Sequence, residues 1–284
     1  MDEKIVHSQY AIIIDDIFSI NMEAIMEKQL IFFDIDGTLL DDDKKLPEST
    51  KYAVQRLKEL GHEVAIATGR SPHMFKELRR ELDIDTYVSL NGQYVVHKET
   101  PVFTNPLNKD ELGRLIRTSE KLNSPLIFQD HEGLNANVHS HDYISVSMNS
   151  LKIKDVPLYE PEFYKHHPVY QTLLFCTEEE EKAYYQGQYQ KFDMIRWHEF
   201  AVDILPTGGT KAKGIQELVK HLGKSMENIY AFGDGLNDVE MLKFVKNSVA
   251  MGNAHEEAKK VAKHVTTSVH QNGIVNGLEM VGLL

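Results

Sequence analysis

The sequence has a single cysteine, fewer basic than acidic residues and no long uninterrupted apolar run. The lone cysteine, Cys176, excludes an intramolecular disulfide, as is typical of proteins that fold in a reducing compartment. The formal net charge of −12 argues against a nucleic-acid-binding protein, whose binding surface is basic. No apolar run reaches the length of a membrane span, and no basic segment precedes one near the first residue. We therefore expect a cytoplasmic protein with no nucleic-acid or membrane partner.

The chain is longer than one average domain. Its 284 residues, 42% hydrophobic and 26% charged, are ordinary for a globular protein with two modules. Residues 1–25 differ from the rest, because Asp15 and Asp16 interrupt their one aliphatic run. We expect residues 1–25 to form an N-terminal extension outside the core, and the first domain to begin near Met26.

Two carboxylates follow the first strongly apolar segment. Leu30–Phe33 has the composition of a buried strand, and Asp34 and Asp36 come directly after it. Residues spaced i and i+2 on extended chain point the same way, so these side chains should lie next to each other. Two like charges this close repel unless a cation lies between them. The pair therefore suits a Mg²⁺ site and a reaction with one carboxylate as nucleophile and another as acid and base.

Continuous apolar strands alternate with amphipathic helices in two parts of the chain. Residues 26–104 and 201–284 both show this pattern, which predicts an α/β fold with a doubly wound, Rossmann-like parallel sheet. In the first part, Ser71-Pro72 is expected to open a helix through Leu82, and Asn91-Gly92 a tight hairpin. Residues 105–200 differ in composition, being rich in His, Tyr and Glu, and are expected to form an inserted α+β cap domain.

Four short polar motifs occur where parallel strands should end. They are Asp34–Thr38, Thr68-Gly69-Arg70, Lys211 after Gly208-Gly209-Thr210, and Gly233–Asp238. The carboxyl ends of parallel strands meet at one edge of a sheet, where such folds bind ligands. The four motifs are therefore expected to form one site.

Together these motifs resemble the haloacid dehalogenase superfamily of phosphohydrolases. The Thr-Gly-Arg, the insertion after it and the Gly-Asp-Gly-x-Asn-Asp are most similar to its Cof-type branch, which carries a type IIB cap. Ala250–Ala254 and Gly273-Ile274-Val275 are similar to the same branch. The resemblance covers residues 28 to 284 and is weakest in the cap.

The resemblance implies a phosphoric monoester hydrolase that acts through an aspartyl-phosphate. Asp34 would be the nucleophile, and Asp36 would protonate the leaving alcohol and then activate water. The implied catalytic residues are Asp34, Asp36, Thr68, Lys211 and Asp238. The implied phosphate-binding groups are Ile35, Thr68, Gly69, Lys211 and Asn237, and the implied Mg²⁺ ligands are Asp34, Asp36 through its backbone carbonyl, and Asp234.

The substrate is expected to be a small phosphorylated metabolite, with a sugar phosphate as the leading candidate. Tyr170 and Gln171, on a predicted cap strand, and His198 and Asp203, near the end of the cap, are candidate contacts with the leaving group. A flavin or pyridoxal phosphate hydrolase and a mutase on the same core stay open, as does a non-catalytic binding or regulatory protein. Asp36 argues against a dehalogenase, which needs no acid at that position. We expect a monomer or weak homodimer.

Overall fold

Two β-sheets organise the computed structural model, which describes residues 28–152, 155–184 and 189–284. The sequence expectation for residues 1–25 lies outside these ranges. The first sheet, here the core sheet, has the strand order β14-β13-β12-β1-β2-β3-β4-β5. Its strands are β1 (Leu30–Phe33), β2 (Glu63–Ala67), β3 (Tyr87–Ser89), β4 (Tyr94–His97), β5 (Thr100–Thr104), β12 (Ile229–Gly233), β13 (Asn247–Ala250) and β14 (His264–Val265).

Helices cover both faces of the core sheet. Successive residues of β1 point to opposite faces: Ile31 and Phe33 pack with one helical layer, and Leu30 and Phe32 pack with the other. The first layer contains α1 (Glu48–Glu59), α9 (Glu256–Val261) and α10 (Gly273–Met280), and the second contains α7 (Lys211–Leu222) and α8 (Val239–Phe244). The neighbours from β14 to β3 pair in parallel, so the predicted doubly wound α/β fold is confirmed.

The second sheet, here the cap sheet, is mainly antiparallel and has the order β10-β11-β9-β6-β7-β8. Its main helices are α3 (Lys109–Leu122) and α4 (Asp142–Ser150), with the short α5 (Phe163–His166) and α6 (Glu178–Glu181). Its strands are β6 (Leu126–Gln129), β7 (Leu134–Ala136), β8 (Leu158–Tyr159), β9 (Gln171–Phe175), β10 (Phe192–His198) and β11 (Ala201–Pro206).

Strand β11 corrects the expected end of the cap. The sequence assigns residues 201–284 to the core, because Ala201–Leu205 has the apolar character of the core strands. In the structure β11 pairs with β9 and β10 in the cap sheet and with no core strand. An apolar strand buried on both faces looks the same in either sheet, so composition did not reveal the difference. The chain returns to the core sheet after Pro206.

The hairpin and the helix predicted in the first part of the core can be compared with the structure. The hairpin at Asn91-Gly92 is confirmed, since β3 and β4 pair in antiparallel fashion around it. The helix predicted from Ser71 is divided: a 3-10 turn at Pro72–Phe75 precedes α2 (Lys76–Leu82). Ser71 does not cap it, because its hydroxyl bonds His73 instead. Among the described residues, no helix is long and apolar enough to cross a membrane.

Candidate active site

A cavity of about 480 Å³ lies between the carboxyl edge of the core sheet and the cap sheet. All four sequence motifs contribute to its lining: Asp34 and Asp36 after β1, Thr68 and Gly69 after β2, Lys211 at the start of α7, and Asn237 after β12. The structure therefore brings the four motifs together at one edge. Three of them follow strands of the parallel core sheet, as predicted, whereas Lys211 follows β11 of the antiparallel cap sheet.

A buried lysine joins two of the predicted catalytic carboxylates. Lys211 Nζ donates to Asp34 Oδ1 at 2.5 Å and to Asp238 Oδ1 at 2.7 Å, and the Lys211 side chain is fully buried. Thr210 caps α7 by accepting from the Lys213 amide, which fixes Lys211 at the first helical position. Burial would lower the pKa of Lys211, but Asp238 and Asp34 outweigh it and raise that pKa. Lys211 is therefore a permanent cation beside Asp34.

Asp34 is the carboxylate whose charge state the chemistry depends on. It is almost completely buried at the end of β1. Burial raises the pKa of its carboxyl, Lys211 opposes that rise, and the nearby Asp238 and Asp234 add to it. An anionic nucleophile at this place therefore needs positive charge in addition to Lys211.

Asp36 is held by two cations in this structure. Arg70 bonds both carboxylate oxygens, with Nε 2.8 Å from Oδ2 and Nη2 2.5 Å from Oδ1, and Lys44 Nζ lies 2.6 Å from Oδ1. Burial would raise the pKa of Asp36, but the bonds from Arg70 and Lys44 lower it. Sequence reasoning identified neither Arg70 nor Lys44 as a partner of Asp36. The distance of 34 residues between Arg70 and Asp36 leaves no local signal.

Asp234 is the acidic residue of the site that lacks a cationic partner. Its Oδ1 accepts from Thr38 Oγ1 at 2.8 Å, and no Lys, Arg or His of the described chain forms an ion pair with it. Burial and then Asp238 raise the pKa of Asp234 to about 7. Gly37, at φ +81°, lets the chain turn against it, because a Cβ there would lie 2.2 Å from Asp234 Oδ2.

The arrangement fits a divalent cation. Oxygens of Asp34, Asp234 and Asp238 lie within 4.8 Å of one another. Asp238 has little capacity left to bind a metal, because Oδ1 accepts from Lys211 and Oδ2 accepts from the amides of Asp234 and Gly235. That leaves Asp34 and Asp234 as the side chains that would hold Mg²⁺, an oxygen-ligated ion.

The cavity is lined by four of the five predicted phosphate-binding residues, Thr68, Gly69, Lys211 and Asn237, whereas Ile35 does not line it. Thr68 Oγ1 accepts from the Arg70 amide at 3.1 Å, and its own hydrogen stays available for an oxygen ligand. Asn237 Nδ2 lies 3.4 Å from Asn91 Oδ1, and a Cβ on Gly69 would lie 3.0 Å from the same amide oxygen. Sequence reasoning placed Asn91 only in a hairpin turn and missed that it neighbours Gly69 and Asn237.

Two of the four expected cap contacts line the cavity. Gln171 and Asp203 do so, whereas Tyr170 and His198 do not. Tyr170 packs instead beside the rings of Tyr94 and His131. His198 Nδ1 lies 3.0 Å from Ser147 Oγ and accepts from the Phe200 amide. Tyr170 and His198 each pack within their own neighbourhood in this structure, and their contact with the substrate stays a prediction.

The fold and the four motifs around the cavity are those of a hydrolase. The model of the haloacid dehalogenase-like hydrolases matches residues 31–278 of the chain. The chain therefore belongs to this family, and the recognition made from the motifs is confirmed.

Among similar proteins, "Putative phosphatase YkrA" of Bacillus subtilis is 42% identical over 91% of this chain and all of its own length. The 5-amino-6-(5-phospho-D-ribitylamino)uracil phosphatase YitU of the same organism is 30% identical over 88% of this chain and 96% of its own. The structure of the HAD subclass IIB sugar phosphatase BT4131 is similar with a TM-score of 0.78, 30% identity, and coverage of 90% of this chain and all of that one. The enzyme class predicted from the sequence, a phosphatase, is confirmed.

Proposed function

We propose that the protein hydrolyses small phosphorylated metabolites in a Mg²⁺-dependent reaction with Asp34 as the nucleophile. The observation that carries this proposal is the pairing of Asp34 with the buried Lys211 at the base of the cavity. Phosphoryl transfer needs an oxygen in line with the leaving group and positive charge around the phosphoryl oxygens, and this site supplies both. Lys211 and Asp238 keep the nucleophile in place.

The reaction divides into two displacements. An oxygen of Asp34 attacks phosphorus, the ester oxygen departs with a proton from Asp36, and an aspartyl-phosphate forms. The Asp36 carboxylate then takes a proton from water, whose oxygen attacks the same phosphorus and releases phosphate and free Asp34. Thr68, Asn237, the amides near Ile35 and Gly69, and Lys211 hold the phosphoryl oxygens.

Asp36 must leave its present partners to act as an acid. Bound to Arg70 and Lys44 it is ionised and has no proton to give. A phosphate ester entering beside Arg70 competes for that guanidinium and frees the carboxylate, which takes up a proton from solvent before it acts as the acid. In this proposal, substrate binding brings Asp36 into its catalytic role.

Mg²⁺ is proposed to be held by Asp34, Asp234 and the backbone carbonyl of Asp36. When bound, it supplies the positive charge that keeps Asp34 ionised and balances the phosphoryl oxygens. The support is the charge distribution: Asp34, Asp238 and Asp36 have cationic partners, whereas Asp234 has none among the described residues.

The leading substrate class is a sugar phosphate, in keeping with the sugar phosphatase BT4131. A second candidate is a phosphate ester with a flat ring, as in the substrate that names YitU. It is favoured by the apolar side chains on the cap side of the cavity, which include Leu173, Leu205 and Trp197. The single, buried Cys176 supports a reducing, cytoplasmic location for this activity.

Hydrolysis of p-nitrophenyl phosphate with and without Mg²⁺ tests the chemistry independently of the substrate. A screen of phosphorylated metabolites by kcat/KM then ranks sugar phosphates against ring-bearing esters. We expect Mg²⁺-dependent release of p-nitrophenol and a preference for one of these two classes. A folded, metal-loaded protein that hydrolyses no phosphate ester would contradict the proposal and favour a binding role.

A further inference from the structure

The cap side of the cavity is an apolar surface that contains one small polar group of side chains. Strand alternation directs Gln171 and Leu173 of β9, and Asp203 and Leu205 of β11, to the cavity face. Asp203 lies opposite Leu173 and Ile195 on the neighbouring strands. We define the polar patch as Gln129, Gln171, Trp197 and Asp203, all of which line the cavity.

Atoms of the polar patch have unused hydrogen-bonding capacity. Gln129 Oε1 is buried without a hydrogen-bond partner among the described residues. Burial raises the pKa of Asp203 to about 7, and hydrogen bonds from Gln171 and Trp197 to its carboxyl offset part of that rise. A buried polar atom without a partner costs about 1–3 kcal/mol, so native structures usually retain such atoms for a ligand, water or catalysis.

The charges around the cavity limit what this patch can bind. Three cations line the cavity, but Lys211 and Arg70 are bound to carboxylates at its catalytic end. The third, Arg196, directs its guanidinium to Glu181 and to the Cys176 carbonyl, away from the patch. The patch therefore offers the Asp203 carboxyl and the unpartnered amide oxygen of Gln129, both hydrogen-bond acceptors, with no available cation among the described residues.

We propose that the polar patch binds the leaving group, and that the substrate's end remote from the phosphate is a donor of hydrogen bonds that carries no negative charge. Hydroxyls of a sugar or polyol and N–H groups of a uracil-like ring share this chemistry. A second phosphate or a carboxylate would face Asp203 without a cation to balance it. This proposal rests on the proposed function and assigns to Asp203 the main part in specificity.

Matched pairs of esters that differ in the charge of the remote end test the proposal. Glucose 6-phosphate is compared with 6-phosphogluconate, and glycerol 3-phosphate with 3-phosphoglycerate, by kcat/KM at pH 8, where Asp203 is ionised. We expect the wild-type enzyme to favour the uncharged member of each pair by about tenfold or more, the value of one mismatched polar contact. Equal rates, or a preference for the carboxylates, would overturn the charge assignment.

Asp203→Asn tests the residue. We expect it to lower kcat/KM for glucose 6-phosphate about tenfold and to narrow the gap to 6-phosphogluconate, because the repelling charge is gone. Hydrolysis of p-nitrophenyl phosphate should change by less than about threefold, since that ester lacks the recognised groups. The matched control is Glu199→Gln, an exposed carboxylate on the turn between β10 and β11, which should leave all rates unchanged.

The outcomes distinguish failure of the specificity role of Asp203 from failure of the proposed function. An equal loss on every substrate would overturn the specificity role of Asp203, and unchanged rates would do the same. If Asp203→Asn fails to fold, Gln129→Met carries the same comparison, because it removes the unpartnered acceptor and keeps the side-chain volume. A wild-type enzyme inactive toward p-nitrophenyl phosphate would instead refute the proposed function. The 5-amino-6-(5-phospho-D-ribitylamino)uracil ester, run beside glucose 6-phosphate, separates ring from sugar.

Discussion

The two walls of the cavity hold their polar groups in different ways. On the core side three of the four carboxylates have cationic partners, since Asp34 and Asp238 share Lys211 and Arg70 holds Asp36, while Asp234 accepts from Thr38. On the cap side the buried amide oxygen of Gln129 has no hydrogen-bond partner in the described chain.

This difference separates two tasks. Groups that bond one another are preorganised for a single reaction, in which the same phosphoryl group is always transferred. Groups with unused hydrogen-bonding capacity are suited to bind the leaving group, which is the part of the substrate that varies from one ester to another. We therefore assign the chemistry to the core edge and the selection of the leaving group to the cap, with predictions below that weaken or strengthen this division.

The largest effect should come from Asp34→Asn, which removes the nucleophilic charge at the core edge. We expect kcat to fall by about ten-thousand-fold for every ester, because no other group can form the acyl-phosphate. Steady-state kinetics on p-nitrophenyl phosphate and a sugar phosphate measure it, with the exposed Glu279→Gln as control. Near wild-type turnover in folded Asp34→Asn would remove the basis of the mechanism.

The second-largest loss of activity is expected on removal of divalent cations. With excess chelator we expect activity to fall by at least about a hundredfold, since several kcal/mol of charge stabilisation is lost. Mg²⁺ should restore it, and Ca²⁺, with its larger and looser shell, should do so poorly. Independently of turnover, Mg²⁺ should raise the melting temperature of the wild-type protein and leave that of Asp234→Asn unchanged. Full activity in chelator would contradict the assignment.

Lys211→Met should damage both stability and activity. It leaves Asp34 and Asp238 buried without their cation, which costs about 3–5 kcal/mol of unfolding free energy. Turnover should drop by about a hundredfold as the nucleophile loses its partner. The matched control is Lys213→Met, two residues along α7, whose amine bonds Glu217 and Gln216 at the surface. Similar losses in both variants would show that the helix, and not the buried pairing, is responsible.

The core site could be predicted from sequence because its residues follow directly on apolar strands. Asp34, Thr68 and Asn237 follow strands of the parallel sheet, whose carboxyl ends meet at one edge, whereas Lys211 follows a cap strand and was identified by its motif at a helix start. The cap gave no such rule. Whether Gln171 or Tyr170 meets the cavity depends on which face of β9 is covered, and only the structure shows this.

Long-range pairings were also beyond sequence reasoning. Arg70 with Asp36 and Asn91 with Gln171 connect residues 34 and 80 positions apart, for which spacing carries no information. The strand β11 was assigned to the wrong sheet for a similar reason: an apolar strand does not specify its neighbours. The predicted oligomeric state, monomer or weak homodimer, stays a prediction.

A smaller effect is expected at Asp203, whose carboxylate is proposed to bind the substrate but lowers the stability of the folded protein when it is ionised. Its raised pKa of about 7, against an ordinary 3.8, means the folded protein favours the protonated form. The protonated Asp203 carboxyl therefore makes its full contribution to the free energy of unfolding below about pH 4. That contribution is lost as the pH rises through about 7. Asp203→Asn should therefore melt roughly 2–4 °C higher than wild type at pH 8, with no difference near pH 4.

Melting curves of wild type, Asp203→Asn and Glu199→Gln across this pH range make the measurement. Glu199→Gln should follow the wild type throughout, because its carboxylate is exposed. If Asp203→Asn raised the melting temperature equally at every pH, the effect would not come from the buried charge of the Asp203 carboxylate.

The smallest effect should come from the contact between cap and core outside the cavity. Lys152 Nζ, just after α4, donates to the Asp42 carbonyl at 2.7 Å and to Asp43 at 3.1 Å. Such exposed pairs contribute little, so Lys152→Met should change kcat/KM by less than about threefold for any ester. A larger, substrate-dependent change would extend the selecting surface beyond the polar patch.

Trapping the intermediate tests the central claim most directly. Wild-type enzyme with Mg²⁺ is mixed with a radiolabelled phosphate ester, quenched in acid within one turnover, and digested for mass spectrometry. The account predicts transient label on the peptide that contains Asp34, sensitive to hydroxylamine and absent in Asp34→Asn. Label on Asp36, Asp234 or another residue, or phosphate release in a single turnover with no labelled protein, would contradict it.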